Sequence, residues 1–136
     1  MKYVELAANL PLAFASLLIA ILFLQSGLDK VFNYKGNLEW LTGHFAKSPL
    51  KGTVGMMLPV LTAMEVATGA LSAVGLIYFL VTGMGFLLFY ASILAAASLT
   101  ALFFGQRIAQ DYPGAAVLVP YFILALIMMY LSLPVR

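Results

Sequence analysis

Glu65 stands out in this sequence because of its type and its position. It is the sole formal charge in a long apolar stretch that runs from 52 to 105. A carboxylate in the middle of an apolar span costs about 2.5–3.5 kcal/mol even on the insertion scale, so it should face a bundle interior, protonated or paired. Thr62, Thr68 and Gly69 share its helical face and make that face small and polar. Three roles stay open: a packing residue, a group that exchanges protons or binds a ligand, and a residue beside a water-filled cavity.

A polar cluster ends the first apolar run and could supply the partner of this acid. Gln25 and Asp29 are four residues apart and share one helical face, whereas Ser26 and Lys30 share the next. Lys30 can turn inward toward an acid such as Glu65, or extend its charge to the headgroups with its stem along the bundle. A helix end at the membrane interface also accounts for Asp29 and Lys30, but Gln25 lies about one turn deeper.

The stretch 86–100 combines an aromatic hydroxyl with small residues. Tyr90 is expected near mid-membrane, where its hydroxyl needs an acceptor, and Glu65 is the candidate; a structural hydrogen bond is the simpler interpretation than catalysis. Ala91 and Ala95 form a small surface that permits close helix approach. Near the end of the same helix, Arg107 and Asp111 are spaced for an ordinary interfacial ion pair.

The composition excludes several kinds of chemistry. There are no cysteines, which rules out disulfides, thiolate metal sites and thiol nucleophiles. A single histidine, His44, cannot build a histidine-rich metal site, and no metal is predicted. The net charge is +2 and the lysines are scattered, so no basic stripe is present for nucleic acid.

The same composition predicts an integral membrane protein. The chain of 136 residues is 64% hydrophobic and only 9% charged, too few charges to coat a soluble surface. The apolar runs are continuous and rich in Ala, Leu and Met, which indicates helices and not the alternating strands of a barrel. We therefore predict one all-α domain over 1–136, a bundle of four transmembrane helices, with a turn at 75–83. The expected spans are 7–28, 53–76, 80–105 and 114–133.

The segment 33–51 separates the first two spans. Asn37 is positioned to cap a short helix over about 38–47, and Ser48 with Pro49 would end it. Its apolar residues share one face, which is typical of an amphipathic helix in the membrane interface. An interfacial anchor is the favoured interpretation, and a lid over one end of the bundle is the alternative.

Orientation follows from the basic residues near the helix ends. The bias puts the loop with most of the lysines in the cytoplasm and both termini outside. On the loop side lie Lys30, Lys35, Lys47, Lys51 and Arg107, and on the other side Lys2 and Arg136.

Four short motifs resemble the DoxX-like family of small four-span membrane proteins. They are FLQSGLDKVFN at 23–33, FAKSPL at 45–50, MEVATGALSAVGL at 64–76 and DYPGAAVLVPYFILAL at 111–126. The resemblance covers nearly the whole chain and implies a four-helix bundle in the bacterial inner membrane. It marks Gly27, Lys30, Glu65 and Gly69 as motif residues, with the two glycines at helix contacts. An arginine that many members carry near the start of the first helix is missing here; only Lys2 is nearby.

The resemblance also sets the functional expectations. Relatives include subunits of thiosulfate–quinone oxidoreductases, partners of oxidative-stress enzymes and, more distantly, membrane chaperones. The favoured role is an accessory subunit or partner of a larger respiratory or redox membrane complex, with a polar pocket around Glu65. One alternative is a quinone-linked oxidoreductase subunit in which Glu65 transfers protons and Lys30 or Gln25 fixes a quinone or a thiosulfate-like substrate. Another is a chaperone that assembles other membrane proteins through the small-residue face that carries Ala91 and Ala95. Quinone is the one cofactor candidate.

Overall fold

The computed structural model describes residues 3–133, which form five α-helices and no strand. This confirms the predicted all-helical class. Four of the helices are long and apolar enough to cross a membrane, so the chain has the spans of a multi-pass membrane protein. The helices are α1 (Tyr3–Phe32), α2 (Tyr34–His44), α3 (Val54–Thr82), α4 (Phe86–Ile108) and α5 (Tyr112–Leu131).

The four long helices pack as antiparallel neighbours in chain order. α1 packs along α3, α3 against α4 and α4 against α5, whereas the contact between α1 and α5 is smaller. Short connections between consecutive spans favour this arrangement. The apolar centre lies between α1, α4 and α5, where Ile19, Leu88 and Met128 are fully buried. Ala91 and Ala95 are fully buried in the same core.

Two glycines allow α1 and α3 to approach with their backbones nearly in contact. A Cβ atom at Gly69 would lie 2.6 Å from the backbone nitrogen of Leu24, and one at Gly27 would lie 2.9 Å from that of Val66. Real Cβ atoms do not come so close to a backbone, so only glycine fits at either position. This close packing decides which side chains of α1 can reach α3.

The turn between α3 and α4 lies later than the sequence pattern predicts. α3 continues to Thr82, and Gly83 ends it in the left-handed conformation (φ 80°), with its N–H bonded to the Phe79 carbonyl at 2.8 Å. That conformation is what glycine supplies at helix ends. Gly75, expected in the turn, lies instead inside α3, where an added Cβ would come within 3.0 Å of Leu88. Its small size therefore serves helix packing.

The other helix boundaries shift in the same modest way. α1 contains the span expected at 7–28, and α5 covers the span expected at 114–133 except for its last two residues. α2 begins at Tyr34 and not at 38, because Asn33 is the boundary residue. The Asn37 side chain does not cap the helix; its amide donates to the Asn33 carbonyl (2.9 Å) and to Asp29 Oδ2 (3.2 Å). α2 ends at His44, before the Ser48–Pro49 pair.

The basic residues expected on the loop side lie at or next to the end of the bundle that carries α2. They are Lys30, Lys35, Lys47, Lys51 and Arg107. α1 ends there, and the C-terminal end of α4 meets His44. Lys2 and Arg136 lie outside the described residues.

Candidate functional site

A buried carboxylate on α3 and two side chains on α1 form a closed polar cluster inside the bundle. Glu65 is only 2% exposed, and the ammonium Nζ of Lys30 lies 3.0 Å from its Oε1. Ser26 donates its hydroxyl to Oε2 of Glu65 at 3.0 Å, and Lys30 donates to the Ser26 oxygen at 3.0 Å. We call Ser26, Lys30 and Glu65 the α1–α3 triad.

The two contacts of the carboxylate differ in kind. Oε2 accepts a hydrogen bond from Ser26, whereas the approach of Lys30 to Oε1 is close but off the direction of a hydrogen bond. The lysine therefore compensates the charge of Glu65 without donating a hydrogen bond to its carboxylate. The Lys30 side chain is 15% exposed, so its ammonium, which has three N–H donors, can also donate to a group outside the triad while it stays beside Glu65.

Helix geometry explains the composition of the triad. Ser26 and Lys30 lie one turn apart on the same face of α1, and Gly27 sits against α3, where its missing side chain lets that face reach Glu65. The other polar pair at the end of α1 points away. Gln25 and Asp29 are exposed, and Asp29 accepts from Asn37 of α2 instead of approaching Glu65.

Tyr90 lies away from the triad. Its side chain is 55% exposed on the outer surface, where its ring packs edge-on against Phe89, and the expected hydrogen bond to Glu65 does not form. Two reasons account for this. α4 begins at Phe86, so Tyr90 lies in its second turn and not at mid-span. The side of α4 that faces the core carries Ala91 and Ala95, and Tyr90 lies on the other side.

An amphipathic cavity of about 450 Å³ lies next to the triad, under α2. Lys30 reaches it from α1 and is the one formal charge in its wall, whereas Glu65 lies behind Lys30 and does not line the cavity. Most of the wall is apolar, and its other polar side chains are Asn37, His44 and Gln106. The apolar lining consists of Trp40, Leu41, Phe45, Met56, Met57, Leu58, Val60, Leu61, Met64, Ala101 and Leu102.

His44 joins α2 to the ends of α4 and α5. Its Nε2 lies 2.7 Å from Oε1 of Gln106 and 3.7 Å from Oδ2 of Asp111. Its ring stacks on Trp40, with the centroids 4.5 Å apart. On the side of α2, the rim of the cavity is thus formed by an aromatic stack and one short hydrogen bond.

The expected ion pair between Arg107 and Asp111 does not form in the described part of the chain. Asp111 caps α5 by accepting the N–H of Gly114 at 3.0 Å. The Arg107 guanidinium lies over the ring of Tyr112 instead, 4.4 Å from its centroid. The cap competes for the carboxylate because it satisfies a backbone donor at the helix start.

A smaller cavity of about 250 Å³ lies between α4 and α5 and has no comparable chemistry. Thr100 is its one polar lining residue, and that hydroxyl already donates to the Ala96 carbonyl at 2.8 Å. We therefore place the candidate site at the α1–α3 triad and the larger cavity.

Four residues of the triad and the cavity were not predicted from the sequence as site residues: Ser26, Trp40, His44 and Gln106. The i, i+4 spacing of Ser26 and Lys30 was a usable signal for the first. His44 and Gln106 are 62 residues apart, and no local pattern links them. Within residues 3–133 no cluster of three or more acidic or histidine side chains is placed to hold a metal ion, whereas the cavity has the lining of a site for an organic molecule.

The comparisons with known proteins add no family. No protein-family model matches the chain, and no curated protein and no solved structure is significantly similar to it.

Proposed function

We propose that this chain is a DoxX-like accessory protein of the bacterial inner membrane that binds a lipophilic molecule of the quinone class in the cavity under α2. The observation that carries the proposal is the position of Lys30, which lines the apolar cavity and pairs with the buried Glu65 behind it. A ligand head placed there would meet a cationic donor, and the ligand body would meet apolar walls.

The charge balance favours an uncharged hydrogen-bond acceptor. Lys30 and Glu65 together are neutral, so an anionic head would add an uncompensated charge in a site of low polarity, which is costly. A quinone carbonyl adds none and can accept from Lys30. His44 and Gln106 at the rim offer further polar contacts.

The walls suit an apolar ring or chain. Met56, Met57 and Met64 project from α3, and methionine side chains adapt to irregular apolar shapes and favour contact with aromatic rings. Trp40 and Phe45 close the cavity on the side of α2 and the following loop. We place α2 in the membrane interface, where an exposed Trp40 is favourable.

We assign the accessory role because electrons for a bound quinone would have to come from a partner protein. The chain has no cysteine, so it offers no thiol couple of its own. In this proposal Lys30 holds the ligand head and supplies or accepts its proton, and Glu65 behind it compensates the charge of Lys30. The chaperone alternative is less well supported, because Ala91 and Ala95 are fully buried within the bundle and offer no surface to a client.

Trp40 gives a direct test of ligand binding. It is the single tryptophan of the chain and lines the cavity, so a short-chain quinone such as decylubiquinone should quench its fluorescence in nanodiscs with saturation. Ala101→Phe fills the cavity, whereas Ala97→Phe adds the same ring one turn earlier on α4, outside the lining. We expect saturable quenching in the wild type and in Ala97→Phe, and its loss in Ala101→Phe. Linear quenching that is equal in all three proteins would contradict the site.

The accessory role has a separate test. The tagged protein is isolated from its native membrane in a mild detergent, and the co-migrating proteins are identified by mass spectrometry. Larger membrane proteins in fixed stoichiometry would support the role of a subunit. A bundle that carries only quinone or lipid would contradict the subunit role but not the proposed binding site.

A further inference from the structure

α2 is the least embedded helix of the fold, although it forms one wall of the cavity. None of its side chains is buried. It packs only lightly against α1 and α3. Yet Asn37, Trp40, Leu41 and His44 all line the cavity. Movement of α2 itself would therefore break few apolar contacts. The buried residue at its end is Phe45, which is 6% exposed and lies next to Gly105 of α4.

The two ends of α2 are attached differently. At its start, α2 follows α1 after the single non-helical residue Asn33 (φ −124°, ψ 47°), and Asn37 bonds back to Asn33 and Asp29. At its end, the polar attachment to α4 is the 2.7 Å contact of His44 with Gln106, with Asp111 farther away at 3.7 Å. The first end has the features of a hinge, and the second those of a latch.

We infer that α2 is a lid over the Lys30 cavity, hinged at Asn33 and held closed by the His44–Gln106 hydrogen bond together with the packing of Phe45 beside α4. Opening would break this bond and separate Trp40 and Leu41 from the α3 wall, which widens the cavity and exposes Lys30 further. The net gain from one hydrogen bond changes an equilibrium by roughly fivefold, so the closed state is favoured but reversible. The inference rests on the proposed function only in assigning the opening to ligand passage.

The absence of cysteine makes the motion measurable with one probe. Met57→Cys places a thiol in the cavity wall, where the native side chain is half-buried, and Lys47→Cys places one on the exposed loop after α2. The rate of reaction with a water-soluble methanethiosulfonate reagent in nanodiscs then reports how often the cavity is open. No ligand is needed, so a failure of the lid is distinguishable from a failure of quinone binding.

Two variants remove the latch with little change in volume. Gln106→Met deletes the acceptor, and His44→Phe keeps an aromatic ring to stack on Trp40 while deleting the nitrogen. We expect either variant to speed the labelling of Met57→Cys roughly fivefold, in line with the loss of one hydrogen bond. The rate at Lys47→Cys should not change. Glu39→Ala, an exposed change on α2 itself, should leave both rates unchanged.

Two results would overturn the lid. One is equal labelling of Met57→Cys with and without the latch variants. The other is labelling of Met57→Cys as fast as that of Lys47→Cys in the protein with an intact latch, because the cavity would then be open already.

Discussion

The ammonium of Lys30 lies 3.0 Å from Oε1 of Glu65, across a helix contact that only glycine permits. Glu65 is 2% exposed, whereas the Lys30 side chain is 15% exposed and lines the cavity. The pair is therefore asymmetric: the acid has no route to solvent, and the base has one.

This asymmetry predicts unequal effects of removing each partner. Lys30→Met should destabilise the protein strongly, by about 3–5 kcal/mol, because it leaves a buried carboxylate unpaired. Glu65→Gln should be milder, because glutamine can still accept from Ser26 and Lys30 can turn toward the cavity. Thermal unfolding in detergent measures both, and the double variant should recover much of the loss of Lys30→Met. Equal losses, or additive ones, would show that the two side chains are not coupled.

The glycine contact predicts a difference between two glycines of α3. Gly69→Ala puts a Cβ 2.6 Å from the Leu24 backbone nitrogen and should force α1 and α3 apart, at a cost of about 1–3 kcal/mol. At Gly55 an added Cβ meets no atom within 4 Å, so Gly55→Ala should be neutral or slightly stabilising. The change in thermal midpoint separates the two. A loss at Gly55 equal to that at Gly69 would argue against close packing as the cause.

The proposed contact of Lys30 with the ligand head predicts a weaker affinity when this donor is removed. In Lys30→Met the quinone titration followed by Trp40 fluorescence should shift to about tenfold higher concentration, since a hydrogen bond from a charged group is worth about 1.5–3 kcal/mol. Because this variant is also expected to lose stability, Ser26→Ala serves as the comparison: it weakens the triad without removing a cavity-lining group. An unchanged titration in folded Lys30→Met would exclude Lys30 from the head-group contact.

The outward position of Tyr90 predicts that its hydroxyl is dispensable. Tyr90→Phe should leave both thermal stability and quinone binding within error of the wild type, because the ring is 55% exposed and its expected partner Glu65 is bonded elsewhere. The same two assays test this. A loss as large as that of Glu65→Gln would place Tyr90 in the site after all.

The sequence by itself determined the class of the molecule. Continuous apolar runs and few charges predict four long helices, and they are present. A carboxylate in the middle of one of them implies an inward face, and Glu65 is in fact buried. These properties depend on hydrophobicity and helical periodicity, which are local and can be read from the order of residues.

Only the tertiary structure decided which side chains meet. Ser26 and Lys30 reach Glu65 while Gln25 and Asp29 face outward, because the glycine contacts fix the rotation of α1 against α3. In the same packing Gly75 contacts α4, and the turn forms at Gly83. His44 meets Gln106, which lies 62 residues away in the sequence. Rotation and register between helices come from the fit of whole surfaces, which no local pattern encodes.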